Sequence, residues 1–176
     1  ISSRSGFTYG TAFCHAIELI NDIKVPRKFQ YLRLIGCEFN RIVSNIYALS
    51  CISQCLGAEK LSNTINDIHQ QTLEAAAVIS QDQNLFSLLT IGGMKSDIPK
   101  DTLLKAGVIL REMEDKLKYV YREFSTSFSI KRRLQGLAPI TDSFLSREAT
   151  GAAAKGNGIP MDLRELSFLP YEDLEF

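Results

Sequence analysis

The 176-residue sequence predicts an all-α fold: a helical bundle built on three long antiparallel helices, with shorter flanking helices and a Gly-rich loop. Three observations carry this. Apolar side chains return at alternating steps of three and four over long stretches, the spacing that lines one face of a helix. Pro26, Gly57 and the Gly92-Gly93 pair stand where those stripes begin or stop. The composition, 45% apolar and 23% charged, is that of an ordinary globular protein. A chain of this length buries about 70% of its unfolded surface. Disorder and collagen are excluded.

Residues 11–23 read as a short first helix ending before Lys24-Val25-Pro26. From Pro26 to Gly57, Leu32, Ile35, Phe39, Ile42, Ile46, Leu49 and Leu56 form a single seam, with Ser53 filling its gap. Proline fits a first turn because its missing N–H would have no partner inside the helix, and glycine suits the left-handed residue that stops one. A second stripe, Leu61, Ile65, Ile68, Thr72, Ala75 and Ile79, predicts a long helix antiparallel to the first, its free amides met by Ser62 or Asn63. Leu85 to Ile91 is apolar, partly β-branched and followed by two glycines, which predicts a short extended piece or tight crossover. The third long helix runs over Leu103, Ala106, Leu110, Met113, Leu117, Val120 and Phe124, with Arg111, Glu112, Glu114, Asp115, Lys118 and Arg122 on a solvated back. Residues 141–149 predict another short helix. Thr150 to Pro160 is too small-sided and Gly-rich to hold a regular element and predicts an exposed loop. Ser167 to Phe176 reads as a cut edge. With Ile1 first, residues 1–176 are expected to be one helical domain from a larger subunit.

Twenty basic side chains balance twenty acidic ones. That leaves no long-range field for a polyanion, and no basic cluster interleaved with aromatics compensates, so no nucleic-acid partner is expected. No run of eighteen apolar residues predicts a membrane span, and residues 1–10 show no targeting pattern. Cys14, Cys37, Cys51 and Cys55 stand in a long, helical chain, the setting of free, buried thiols.

The run Gly151 to Gly156 invites comparison with a nucleotide loop, but that chemistry needs Lys-Ser/Thr directly after the second glycine, where Asn157-Gly158 stands. A surface loop is expected, with Lys155 available to an anion or a partner carboxylate. Cys51 and Cys55 lie four apart on one helix face, yet two ligands are not a metal site, and Cys14, His15, Cys37 and His69 supply no tight pairing. Glu38 and Arg41, three apart, form either an intrahelical pair worth about 0.2–0.5 kcal/mol or the edge of a polar pocket. Asp97, before Pro99, suits a helix entry, and Asp162 with Arg164 an exposed pair.

Several segments, taken in order, resemble the large-subunit superfamily shared by nickel-iron hydrogenases and the 49 kDa subunit of respiratory NADH:quinone oxidoreductase. Thr11-Ala-Phe-Cys14-His-Ala-Ile-Glu18 is similar to the family's segment after its first metal-binding motif. Val25-Pro-Arg-Lys-Phe-Gln-Tyr-Leu-Arg33 resembles P-x-R-A-Q-x-I-R, and Cys37-Glu38-Phe-Asn-Arg41-Ile-Val-Ser-Asn45 resembles E-L-x-R-I-x-S-H. Ile91-Gly-Gly-Met-Lys-Ser-Asp97-Ile-Pro99 resembles G-G-V-x-x-D-x-P. Thr150-Gly151 through Lys155 and Gly158 to Asp162-Leu-Arg164 resembles T-G-P-x-x-R-x-S-G-x-x-x-D-x-R. Cys14, in a T-A-F-C context, places the resemblance nearer the energy-converting, membrane-associated hydrogenases than the periplasmic ones.

The departures bear on function. In hydrogenases the register before T-A-F-C reads I-C-G-I-C, whose thiolates bind nickel and iron; here it is Ile1-Ser2-Ser3-Arg4-Ser5. A hydroxyl is a hard ligand with little affinity for a low-valent nickel-iron centre, and no counterpart of the family's second Cys-x-x-C pair is present. Asn45 stands where relatives often have His, Lys155 where they have Arg, and Thr90 where Arg is common in the respiratory branch. A guanidinium fork and an ammonium are not equivalent. The resemblance thus implies family-pocket positions at Ser2, Ser5, Glu38, Arg41, Asp97, Lys155, Asp162 and Arg164, with no metal and no cofactor bound by this chain. It implies an electron-transfer complex with an iron-sulfur cluster in a small partner subunit and a quinone, ferredoxin or NADH-linked donor or acceptor. It further implies indirect contact with membrane subunits and a cytoplasmic location, peripheral to the inner face of the membrane. The fragment is not expected to catalyse alone; the alternative is a non-catalytic scaffold or assembly module. If the family geometry holds, Ser2, Ser5, Glu38, Arg41, Asp97 and residues 150–164 converge at one end of the bundle.

Overall fold

A computed structural model describes residues 6–80, 85–137, 151–158, 164 and 169–174. Most of them are helical, and the only strands among the described residues form one two-stranded hairpin. Helix α1 spans Gly6–Ile20, α2 Arg27–Cys55 and α3 Glu59–Ser80. A 3-10 turn at Phe86–Leu88 leads into β1 (Leu89–Thr90) and β2 (Gly93–Met94). Then come α4 (Lys100–Glu112), α5 (Glu114–Thr126), α6 (Phe128–Leu134), α7 (Gly151–Gly156) and a 3-10 turn at Tyr171–Asp173.

Helix α1 lies several residues ahead of the expected 11–23. Its buried face is Phe7, Thr11, Cys14 and Glu18, at helical spacing, but two of the four are polar, so an apolar stripe does not reveal it. The helix stops on Asp22, at a left-handed φ of 52°, with the Ile23 N–H returning to the Glu18 carbonyl at 2.9 Å. Helix α2 begins and ends as Pro26 and Gly57 predict. Phe29 N–H donates to the Pro26 carbonyl at 2.9 Å. At the far end Gly57 takes φ 64°, and the N–H groups of Gly57 and Ala58 close onto Gln54 and Ser53 at 2.9 and 3.0 Å, a Schellman stop.

The single seam of α2 is an underestimate. Leu32, Phe39, Ile46 and Ser53 are buried as expected, but Arg33, Gly36 and Cys37 are buried too. A Cβ on Gly36 would stand 2.3 Å from the Phe7 ring, so the bare glycine is what lets α1 lie close. The whole stripe of α3 is buried. This helix starts at Glu59, where the Ala58 carbonyl accepts from Ser62 N–H at 2.8 Å; Ser62 and Asn63 are therefore inside the helix and do not cap it.

The third long helix is divided. Met113 keeps helical dihedrals (−80°, −14°), but its N–H reaches back to Leu110 at 3.3 Å, a tightened turn between α4 and α5. Its side chain is 1% exposed, with the Thr72 hydroxyl 3.7 Å from its sulfur. Residues 151–156 also depart from expectation: they form α7, with Ala154 fully buried, because a run of alanines is a strong helix former once one face is covered. Residues 141–149 lie outside the described residues.

Two apolar clusters make the core. One joins Phe7, Leu34, Ala75, Ala76, Met94 and Ala106 with their neighbours; the other joins Ile46, Leu61, Ile65, Ile68, Met113, Val120 and Ile130. All four thiols are free, but only Cys14 and Cys37 are buried; Cys51 is half-buried and Cys55 exposed, because they face away from the seam. Among the described residues no helix is long and apolar enough to cross a membrane.

Candidate functional site

The polar centre of the molecule is a buried ion pair between the first two helices. Glu18, the one Asp, Glu, Lys or Arg in α1, meets Arg33 of α2, and each side chain is 2% exposed. Arg33 donates through Nη1 and Nη2 to the two Glu18 oxygens at 2.9 and 2.6 Å. It also donates through Nη2 to the carbonyls of Thr90 (2.9 Å) and Gly93 (3.1 Å) and through Nε to Gly93 (3.3 Å). Gly92 N–H donates to Glu18 Oε1 at 2.7 Å. Desolvating two ions costs several kcal/mol each, and a two-pronged pair with satisfied remaining donors is the geometry that offsets it. Burial pushes the Glu18 carboxyl up, but the bonds from Arg33 and the Gly92 amide outweigh it and hold the group below its ordinary value. A cavity of about 360 Å³ opens beside the pair, lined by His15, Lys24, Gln30 and Leu169 among others.

A second polar cluster lies further along α2. Glu38 accepts from the Tyr171 phenol at 2.6 Å with Oε1 and pairs with Arg41 through Oε2. Burial, then the Glu38 carboxylate, hold the Tyr171 phenol far above its ordinary value, so it stays protonated. Two residues on, Asp173 accepts from Arg27 at 2.5 Å and from the Tyr31 hydroxyl, and Glu172 accepts from Arg27 at 3.3 Å. The described part of the expected cut edge is thus strapped along α2, over about 16 Å from Arg27 to Glu38. The hydroxyl and N–H of Thr8 both reach Asn40 Oδ1 at 3.2 Å, bringing the first turn of α1 beside the same stretch.

The structure therefore joins Glu38 and Arg41 directly and adds Tyr171. Asp97 stands elsewhere, paired with Lys28 in the first turn of α2, about 15 Å along the helix from Glu38. The Lys28 hydrogen bond holds its carboxyl below the ordinary value. Lys155 is exposed and Arg164 half-buried. Ser2, Ser5 and Asp162 lie outside the described residues. Among the described residues, burial raises the thiols of Cys14 and Cys37, which keeps them protonated and poor metal ligands.

Sequence reasoning missed Glu18, Arg33 and Tyr171 as site residues. A lone carboxylate in an otherwise uncharged helix is the signal that finds Glu18. Tyr171 sits 133 residues from its partner, and no local spacing marks it.

Residues 64–176 match the family described as "Respiratory-chain NADH dehydrogenase, 49 Kd subunit", and the chain belongs to that family. It is 26% identical over 175 residues to the D-type subunit of NADH-quinone oxidoreductase from Chlorobaculum tepidum, covering 98% of this chain and 44% of the relative. A D-type subunit of the same enzyme from Sorangium cellulosum is 29% identical over 178 residues, 94% of this chain and 43% of the relative. The alpha subunit of the membrane-bound hydrogenase of Pyrococcus furiosus is 26% identical over 162 residues, 90% of this chain and 37% of the relative. The superfamily that the order of motifs implies is thus shown, on both its respiratory and its hydrogenase side. The chain spans less than half the length of these curated relatives.

Proposed function

We propose that residues 1–176 act as one helical domain, the central part of a large subunit in an electron-transfer oxidoreductase complex. A small iron-sulfur subunit binds against it, membrane subunits are reached indirectly at the inner face of the membrane, and electrons pass between a NADH- or ferredoxin-linked donor and a quinone. This chain binds no metal or cofactor itself and does not catalyse alone. Glu38, Arg41, Asp97, Lys155 and Arg164, with Ser2, Ser5 and Asp162, are the family-pocket positions of this chain, Asp97 standing apart from Glu38 and Arg41 along α2. The observation that carries the reading is the family match over residues 64–176, joined to hydroxyls where the hydrogenase branch has thiolates. Capture of the tagged chain from its own cells tests it. The expected preparation contains an iron-sulfur subunit, with iron and sulfide in fixed ratio to protein, and no nickel. Near-stoichiometric nickel, or hydrogen evolution by the isolated chain, contradicts the reading.

The scaffold reading draws support from one observation: the candidate polar groups are already partnered within the protein, Glu38 through both oxygens and Asp97 through Lys28. Under it, a complex carrying Glu38→Gln and Asp97→Asn assembles and reduces quinone at the native rate. Under the electron-transfer reading the rate falls at least about tenfold, of the order expected when a positioned polar group is lost.

A further inference from the structure

The β1–β2 hairpin pairs only Leu89 with Met94 and Thr90 with Gly93, and a ribbon that short has little stability of its own. It is held from outside. Four hydrogen bonds from the buried Glu18–Arg33 pair end on its backbone: three from the Arg33 guanidinium to Thr90 and Gly93, and one accepted by Glu18 from Gly92 N–H. One turn earlier on α2, the Phe29 ring lies so close to Gly93 that a Cβ there would stand 2.6 Å from it, and Gly93 takes φ 150°. Lys28, next to Phe29, holds Asp97, four residues past Gly93. A short stretch of α2 thus meets the hairpin and its continuation at three successive places.

We propose that Glu18 and Arg33 are positioning residues: as a clamp spanning α1 and α2, they seat the Gly92-Gly93 turn and so set where the chain beyond it delivers Asp97 against Lys28. A pair serving stability alone is replaceable by apolar side chains of similar volume, often without loss. Here such a replacement leaves Gly92 N–H without its acceptor and takes the Arg33 donors away from the carbonyls of Thr90 and Gly93, which keep only their bonds within the hairpin, and the unpaired amide drives the turn toward water. The clamp follows from the geometry alone; that Asp97 matters to electron transfer rests on the proposed function.

Nuclear magnetic resonance on the full 176-residue chain tests the clamp. In the native chain Gly92 N–H exchanges at least about a hundredfold more slowly than an unstructured amide. The Gly93 α-protons carry a ring-current shift from Phe29, and Asp97 titrates below its ordinary value. In a folded Glu18→Leu/Arg33→Met variant, with helical circular dichroism retained, all three signatures are lost. Arg33→Lys keeps a cation for Glu18 but drops the fork, and lowers Gly92 protection about tenfold. That single variant decides the matter if the double variant does not fold. A folded double variant that keeps Gly92 protection and the native Asp97 titration, or unchanged protection in Arg33→Lys, overturns the clamp. A loosened hairpin in a complex that still reduces quinone at the native rate supports the clamp and removes Asp97 from the pocket.

Discussion

Glu18 and Arg33 show how far a charged residue's meaning depends on a partner remote in the chain. They are fifteen residues apart on different helices, and neither local spacing nor charge pattern announces that they meet. Glu18→Gln leaves the Arg33 guanidinium buried without its counter-ion, and a loss of about 3–5 kcal/mol in urea unfolding is expected. The pH dependence follows from the direction of the shift. A carboxyl whose folded pKa lies below its unfolded value of about 4.3 contributes fully above that value, and the contribution is lost as pH falls through the folded pKa. Stability of the native chain therefore drops below about pH 4.3, and the drop is shallower in Glu18→Gln when midpoints are compared across pH. Tyr171→Phe removes the hydrogen bond to Glu38 and costs about 1.5 kcal/mol, measured the same way. Glu38 with Arg41 is readable as a neighbour pair; the phenol that completes it, contributed from 133 residues away, is not.

At the scale of elements, α2 and α3 are legible in the sequence because their buried positions are mostly apolar and their ends carry explicit signals, Pro26 and Gly57. Helix α1 is partly hidden, since Thr11 and Glu18 occupy its buried face. The tightened turn at Met113 leaves no mark in the apolar stripe, which runs on unbroken from Leu110 to Leu117. The glycines of α7 point to a loop, whereas its alanines and the buried Ala154 decide the outcome. Two helical glycines separate packing from propensity. Gly36→Ala drives a methyl group into the Phe7 ring and is expected to destabilise by about 1–3 kcal/mol. Gly107→Ala, in exposed α4 with open space around it, is expected to stabilise by about 0.5–1 kcal/mol. Thermal or urea midpoints of the two variants, moving in opposite directions, check the contrast.

Across the whole molecule, the fold class and the superfamily are accessible from periodicity and motif order, while the placement of Asp97 away from Glu38 requires the fold itself. The two core clusters lie at opposite ends of the same long helices: one packs α1, the hairpin and the start of α2 with the end of α3 and with α4, and the other packs the end of α2 and the start of α3 with α5 and α6. Leu110 is the one side chain common to both among the described residues. Ile65→Ala, at a position 1% exposed in the second cluster, is expected to cost about 2–5 kcal/mol. In native-state hydrogen exchange it accelerates the amides of α5 and α6 and leaves Gly92 protected.

The buried stripe of α3 runs on from one cluster to the other, with Thr72 seated on Met113 between them, so that melting at one end of the bundle enforces melting at the other. In a scanning calorimeter this chain is accordingly expected to take up as much heat as the sharpness of its transition implies for a single all-or-none event, and a clear excess of heat would contradict that continuity.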